Sequence, residues 1–284
     1  MITTIILSED NAVRLHLLLE SLHLNGGNLF DITVLYRASS NEFFEGYEKA
    51  AIHFNGKNRY SHTFPVRWIE MDHSSVAKNM LSFLPSARDL VCIFNDENIL
   101  FKNPPSFTAI KTLFDEHNPL ALSLRLGNNT VIQNPYNADG YFSEIPPEGE
   151  FVLDQFLVWD AASIAPYTNF GIPFSINGHI YKNRSLAKIL DQSSSSRIDD
   201  LESEIQPIFY KNLYDELPST LSCLEYSIAI HNSSQKIADT DQQHLGLEPE
   251  DLNKRYLQSQ TIDLDYIPFE HISMPFEHFV LKFH

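Results

Sequence analysis

Along the first third of the chain, short apolar runs alternate with amphipathic stretches, and polar turns separate them. Ile2 to Leu7 is apolar and β-branched, and Ser8-Glu9-Asp10-Asn11 follows directly, as a strand does when it feeds a turn or helix cap. Leu15, Leu18, Leu19 and Leu22 recur at helical spacing, and Asn25-Gly26-Gly27-Asn28 closes that helix. Phe30 to Tyr36 reads as a second strand, with a polar turn from Arg37 to Asn41. A helix fits Glu42 to Phe54, a third strand Val66 to Met71, a helix Ser74 to Phe83, and a fourth strand Asp89 to Phe94. Strands that alternate with helices in this way predict an α/β fold, a mostly parallel central sheet with helices on both faces.

The rhythm changes after Asn103. Phe107 to Glu116 is helical in pattern, and Leu120 to Arg125 reads as a strand. Asn128 to Gly149 is rich in Asn, Pro, Tyr and Gly and lacks periodicity, so it is expected to be a long loop or lid over the cleft. Phe151 to Trp159 reads as a strand, and Asp191 to Arg197, with its run of serines, as a flexible loop. A helix is expected over Leu201 to Tyr210, with Asp199 or Asp200 as its cap. The tail from Ser259 shows no clear period, and no internal repeat is present.

Charge and cysteine usage narrow the function classes. Lys and Arg total 20 against 37 Asp and Glu, a net charge of −17. A surface this acidic argues against general nucleic-acid binding, which relies on clustered basic residues, and against electrostatic docking on anionic lipid. The two cysteines, Cys92 and Cys223, form no Cys-X-X-Cys pair and are expected to be free buried thiols. The N-terminal apolar run has no basic leader and is too short to cross a bilayer, and no later stretch is long enough either. A cytoplasmic protein is expected. Serine-hydrolase elbows, P-loops, dinucleotide fingerprints and zinc-protease motifs are absent from the sequence.

The stretch richest in chemistry is the end of the fourth strand. Leu90 to Phe94 runs into Asn95-Asp96-Glu97-Asn98, and apolar residues resume at Ile99. Open α/β sheets bind ligands at such strand ends, and hard oxygen ligands there suit a divalent cation holding a diphosphate. The plainer reading is a polar turn after a core strand.

Several stretches in order resemble the bacterial nucleotide-diphospho-sugar glycosyltransferases of the GT-A fold, the family-two-like group. They are Ser8 to Arg14, Val34 to Arg37, Val76 to Asn79, Phe94 to Phe101, Ser123 to Asn128 and Phe170 to Tyr181. The resemblance implies one GT-A-like domain over 1–284, with a nucleotide-sugar-binding half over about 1–103 and an acceptor-binding half over about 104–284. It also implies Mn2+ or Mg2+ as cofactor, a UDP-linked nucleotide-sugar donor and a carbohydrate acceptor. Metal ligands would be Asp96, Asn98 and His231, with His179, His271 and His278 as rivals of His231. Ser8, Asp10, Arg14, Arg37, Lys78 and Asn95 would meet the donor, and Arg125, Asn177 and His179 the acceptor. Asp199 and Asp200 are the candidates for general base, although capping and the helix dipole also account for acids there. Two positions depart from the family pattern: Asn98 and Asn177 stand where acids are usual. A non-catalytic GT-A-like binding or scaffolding protein is therefore the alternative. Nothing in the sequence sets the oligomeric state.

Overall fold

The computed structural model describes residues 1–56, 65–134, 142–166, 168–232 and 248–260, with 262, 264, 269, 272 and 274–276 beyond them. The first half follows the expected alternation. It runs β1 (Ile2–Glu9), α1 (Ala12–Asn25), β2 (Phe30–Arg37), α2 (Asn41–Asn55), β3 (Arg67–Glu70), α3 (Val76–Phe83), β4 (Leu90–Asn95), β5 (Asn98–Leu100) and α4 (Phe107–Glu116). The second half is built of shorter pieces. These are β6 (Ala121–Gly127), β7 (Ile132–Asn134), β8 (Phe142–Glu144), β9 (Glu150–Val152), β10 (Phe156–Asp160), β11 (His179–Lys182), α5 (Asn183–Leu190), α6 (Ile198–Ile208), β12 (Thr220–Leu224), β13 (Ala229–His231) and α7 (Pro249–Leu257).

One nine-stranded sheet carries the fold, in the order β3-β2-β1-β4-β11-β6-β12-β10-β9. β3, β2, β1 and β4 are parallel neighbours, and β6 pairs parallel with β12. β11 is antiparallel to both β4 and β6, and β10 to both β12 and β9. All strands of this sheet except β10 and β11 therefore run in one direction. This is the expected mostly parallel α/β sheet with helices on both faces.

Strand alternation divides the core in two. In β4, Leu90, Cys92 and Phe94 face one side, while Val91 and Ile93 face the other. The first side packs on Leu15, Leu18, Leu22, Tyr47, Ile110 and Tyr256 from α1, α2, α4 and α7. The second packs on Val76, Met80, Leu186, Ile189, Leu201 and Ile205 from α3, α5 and α6. Cys92 and Cys223 are free and buried, as expected, and burial pushes both thiols up in pKa.

Several local expectations are corrected. The strand expected over Phe151 to Trp159 is two strands folded into a hairpin, because Leu153 and Asp154 both take positive φ, 52° and 55°. The serine run expected to be flexible is pinned by Glu204. Its carboxylate accepts from Ser193 Oγ at 2.5 Å, Ser194 Oγ at 3.0 Å and Ser195 N at 2.8 Å. Neither Asp199 nor Asp200 caps α6; both lie in its first turn, after Arg197 at the N-cap position. The expected lid, Asn128 to Gly149, holds β7 and β8 paired antiparallel, while 135–141 lie outside the described residues. His271 and His278 lie outside them as well. Among the described residues, no helix is long and apolar enough to cross a membrane.

Two measurements probe this frame. Gly178, just before β11, has φ +71°, and a Cβ there would meet Phe94 Cε1 at 3.1 Å. Gly178→Ala is expected to lose about 1–3 kcal/mol of stability in urea titration. His16 is buried between α1 and α7 with Nδ1 2.8 Å from the Tyr256 hydroxyl, and burial lowers its pKa from 6.5 to about 3. The unfolded chain binds a proton that folded His16 refuses. Its contribution is therefore complete above pH 6.5 and is lost as pH falls toward 3, by up to about 1.4 kcal/mol per pH unit. His16→Gln is expected to flatten the fall in stability between those limits, read by denaturation at stepped pH.

Candidate functional site

The chain order of the parallel strands reverses between β1 and β4, which are hydrogen-bonded neighbours. Open α/β sheets bind their ligands outside the carboxyl ends of the strands at such a switch point. Ser8 near the end of β1 and Asp96 just past β4 meet at this place. The backbone N–H of Asp96 donates to Leu7 O at 3.0 Å, extending the ladder by one bond.

A small polar cluster is buried at this edge. Ser8 Oγ donates to Asp96 Oδ2 at 2.6 Å and lies 2.7 Å from the Tyr47 hydroxyl. The backbone N–H of Asn11 donates to that hydroxyl at 3.1 Å, and Asn11 Nδ2 approaches Asp96 Oδ1 at 3.4 Å. Burial raises the Asp96 pKa from 3.8 to about 8, and the Ser8 bond opposes that rise. A carboxyl group removed from water favours its neutral form unless a positive partner or further donors stabilise its charge.

The turn between β4 and β5 is tied by its own side chains. The Asn95 N–H donates to Asn98 Oδ1 at 3.0 Å, and the Glu97 N–H donates to Asn95 Oδ1 at 3.1 Å. Asn98 Nδ2 then points at Asn177 Oδ1, 3.1 Å away, and at His231 Nδ1, 3.4 Å away. β13 pairs with β5 and sets His231 opposite Asn98. The other ring nitrogen, Nε2, lies 3.3 Å from Glu97 Oε2. Arg14 reaches the same turn from α1: Nη1 lies 3.8 Å from Glu97 Oε1 and donates to Asn232 O.

The three residues expected to hold Mn2+ or Mg2+ are neighbours, but they do not fit a cation as they stand. The Asn98 oxygen accepts a backbone N–H, which turns its amide nitrogen outward. Both His231 nitrogens face side-chain partners, Asn98 and Glu97. Among the described residues, no group of three or more His, Cys, Asp or Glu is arranged to hold a metal ion.

A second arrangement borders the first. Glu202 on α6 was not singled out from the sequence. Its Oε1 accepts from Ser175 Oγ at 2.7 Å, Ile176 N at 2.6 Å and Asn177 Nδ2 at 3.0 Å. That carboxylate fixes the loop before β11 and aims Asn177 at Asn98. His179, first residue of β11, is buried, and its pKa falls to about 3 through desolvation and the charge of Arg125. Arg125, near the carboxyl end of β6, is 2% exposed.

The remaining expected residues lie outside this cluster. Asp10, at φ 55°, accepts from the Ser39 N–H at 2.7 Å and joins two loops at the rim. Arg37 donates to Ser196 O at 2.8 Å and Asp72 O at 3.2 Å, and lies 3.7 Å from Glu9 Oε1, so it straps loops together. Lys78 is exposed on α3, and its side chain makes no hydrogen bond or ion pair among the described residues. Asp199 and Asp200 are exposed and face Arg197 at 3.3 and 3.7 Å. The Asp199 charge is felt at the end of β1, where it helps to raise the Glu9 pKa, after desolvation as the main cause.

No protein-family model matches the chain, and no curated protein matches it. Solved structures that superpose on it include Staphylococcus aureus TarS 1–349, at 15% identity and a TM-score of 0.43, over 79% of this chain and 58% of that one. S. aureus TarS superposes at 14% identity and 0.45, over 82% of this chain and 37% of that one. TarS 1–349 in complex with UDP gives 16% identity and 0.45, over 79% and 58%. The chain thus spans 37–58% of the structures it superposes on. Likenesses this distant assign it neither substrate nor activity.

Burial separates the carboxylates in what they hold. Glu202→Ala strips the acceptor from three donors and is expected to cost about 2–3 kcal/mol. Asp199→Ala and Asp200→Ala, exposed in a first helical turn, are expected to cost under about 1 kcal/mol each. Chemical denaturation of the three variants checks this; equal losses would contradict it.

Proposed function

We propose that this chain is a glycosyltransferase that binds a nucleoside-diphosphate sugar, UDP-linked, in the crevice above β1 and β4 and transfers its sugar to an acceptor hydroxyl. The observation that carries this reading is the buried Ser8–Tyr47–Asn11–Asp96 cluster at the switch point of the parallel sheet. A buried carboxyl group at a strand end whose pKa is strongly raised is a candidate for a functional site. The motif order noted in the sequence supports the same reading.

In this reading the donor lies across the ends of β1 and β4. Asp96 presents its carboxyl group to the nucleoside, buried Ser8 holds that group in place, and Arg14 supplies positive charge at the turn. Asn177 and His179 border the acceptor side. An inverting transfer needs a carboxylate at the acceptor hydroxyl to take its proton. Asp199 and Asp200 are exposed carboxylates in the first turn of α6, and the Asp199 charge reaches the end of β1. A cation has no role in this reading, because Asn98 Oδ1 accepts the Asn95 backbone N–H and the two His231 nitrogens face Asn98 and Glu97.

A second reading has its own observation. Asn98 and Asn177 bond to each other at 3.1 Å, two neutral amides where the resembled family carries acids. That pairing suits a protein that keeps the cleft for binding and has no catalysis. The two readings part on donor turnover. UDP is expected to raise the melting temperature, and a UDP-sugar to release UDP slowly without acceptor, with the release lost in Asp96→Ala. Both assays are run with and without Mn2+ or Mg2+. Absence of stabilisation by any nucleoside diphosphate in every arm overturns the transferase reading. Stabilisation without any UDP release favours the binding protein.

A further inference from the structure

Rings from distant parts of the chain meet under α7. His16 of α1 is buried, and its ring lies 4.6 Å from that of His53 and 4.9 Å from that of Phe54, both on α2. On its other side the Tyr256 ring of α7 stands edge-on at 5.4 Å, and the Tyr256 hydroxyl is 2.8 Å from His16 Nδ1. Lys49 of α2 closes the group. Its ammonium lies 5.0 Å from the centre of the Tyr256 ring and donates to Tyr256 O, and to Leu257 O at 3.3 Å.

A proton on His16 meets only positive neighbours here. Burial lowers its pKa to about 3, with help from His53 and Lys49 of α2. From α7 it faces the Tyr256 hydroxyl, which burial keeps neutral. Lys254 and Arg255 add positive charge in the last turn of α7. On α1 itself, Glu20 acts on His23, which lies across Phe54. Protonation leaves the hydrogen bond possible, because a tyrosine hydroxyl accepts as well as donates. Its cost is the charge itself, buried beside others of the same sign.

α7 is the element that can yield. α1 and α2 each join two hydrogen-bonded strands of the parallel sheet, so neither can leave while the sheet persists. α7 is held by side chains: Leu252 and Tyr256 in the core, Lys49, and Asn253 Nδ2, which donates to Glu42 O at 2.7 Å. Its approach to α2 is close at Gly46, where a Cβ would run into Asn253 Oδ1.

We propose that α7 is an acid-released strap: proton uptake by His16, beside His53 and Lys49, drives α7 off α1 and α2 while the sheet stays folded. A released His16 returns to its ordinary pKa of 6.5. Docking is therefore at full strength above that pH and weakens as pH falls toward 3. From about pH 7.5 to about 5.5, this one group raises the ratio of released to docked α7 about tenfold.

The test places spin labels on the full chain through Glu45→Cys on α2 and Gln258→Cys after α7, both exposed positions. Cys92 and Cys223 are buried and leave the labels to the introduced pair. Distance distributions between the labels at the two pH values read the docked and released populations. Circular dichroism on the same samples reports whether the fold is intact. The wild-type ratio is expected to rise about tenfold on acidification, and in His16→Gln to stay constant. Tyr256→Phe, which removes the hydroxyl and keeps the imidazole, is expected to weaken docking at both pH values and to keep the rise. Gly46→Ala crowds Asn253 and brings the released population into range where the wild type shows little. A ratio independent of pH in both the wild type and Gly46→Ala overturns the proposal. So does an equal rise in His16→Gln, which assigns the effect to other groups. A rise that appears only with loss of the dichroism of the whole fold also overturns it, since His16 then acts on global stability alone. If α7 is released in His16→Gln at both pH values, the His16 ring resonance of the wild type decides. It is expected to titrate in step with the released fraction, and titration out of step overturns the proposal.

Discussion

The hydrogen bond from Ser8 to Asp96 is the constraint on which the carboxyl edge of the sheet depends. It joins the ends of two parallel strands whose connections leave in opposite directions. A carboxyl group at this depth has few ways to be tolerated. Ser8 supplies one donor, Asn11 a longer one, and Tyr47 from α2 holds Ser8 in place. The position of α2 is in turn set by its packing against α7 and against the face of the sheet that holds Phe94. A polar contact at the mouth of the crevice is thereby coupled to the apolar layer beneath it.

From that point the polar groups form a continuous sequence of contacts. Asp96 begins the turn that Asn95 and Asn98 tie. Asn98 meets Asn177 and His231, and Asn177 hangs from Glu202 on α6. Helices from both faces of the sheet contribute: α1 through Asn11 and Arg14, α2 through Tyr47, α6 through Glu202. Arg125 stands just past the end of this sequence, with Nε and Nη1 shielded from solvent and without a hydrogen-bond partner among the described residues.

The first half of the fold was legible because each strand there is a continuous apolar run and each helix has its own stripe. α4 was placed over Phe107 to Glu116, the span it occupies. The second half was less legible for physical reasons. β11 is four residues long, carries His179 and Lys182, and pairs antiparallel between two parallel strands, so nothing in its local pattern announces it. β12 includes Ser222, whose hydroxyl is satisfied by Ala121 O across the sheet. Ser8, Asp96, Asn98, Asn177 and His231 were singled out by strand ends and motif order, and the structure places them in one run of contacts. Glu202 and Tyr47 escaped notice because only tertiary packing gives them their partners. The acid pattern after Arg197 drew attention to Asp199 and Asp200, whereas the residue one turn further faces inward.

The paired amides of Asn98 and Asn177 restrict how this chain can change over generations. Asn98 is the donor and Asn177 the acceptor in their contact, and Asn177 is also a donor to Glu202. An acid at 98 removes the donor that 177 needs, and an acid at 177 faces the Glu202 carboxylate with like charge. Neither position can take an acid alone without disrupting a loop. The two amides and Glu202 constrain one another, and the three positions are expected to change as one unit.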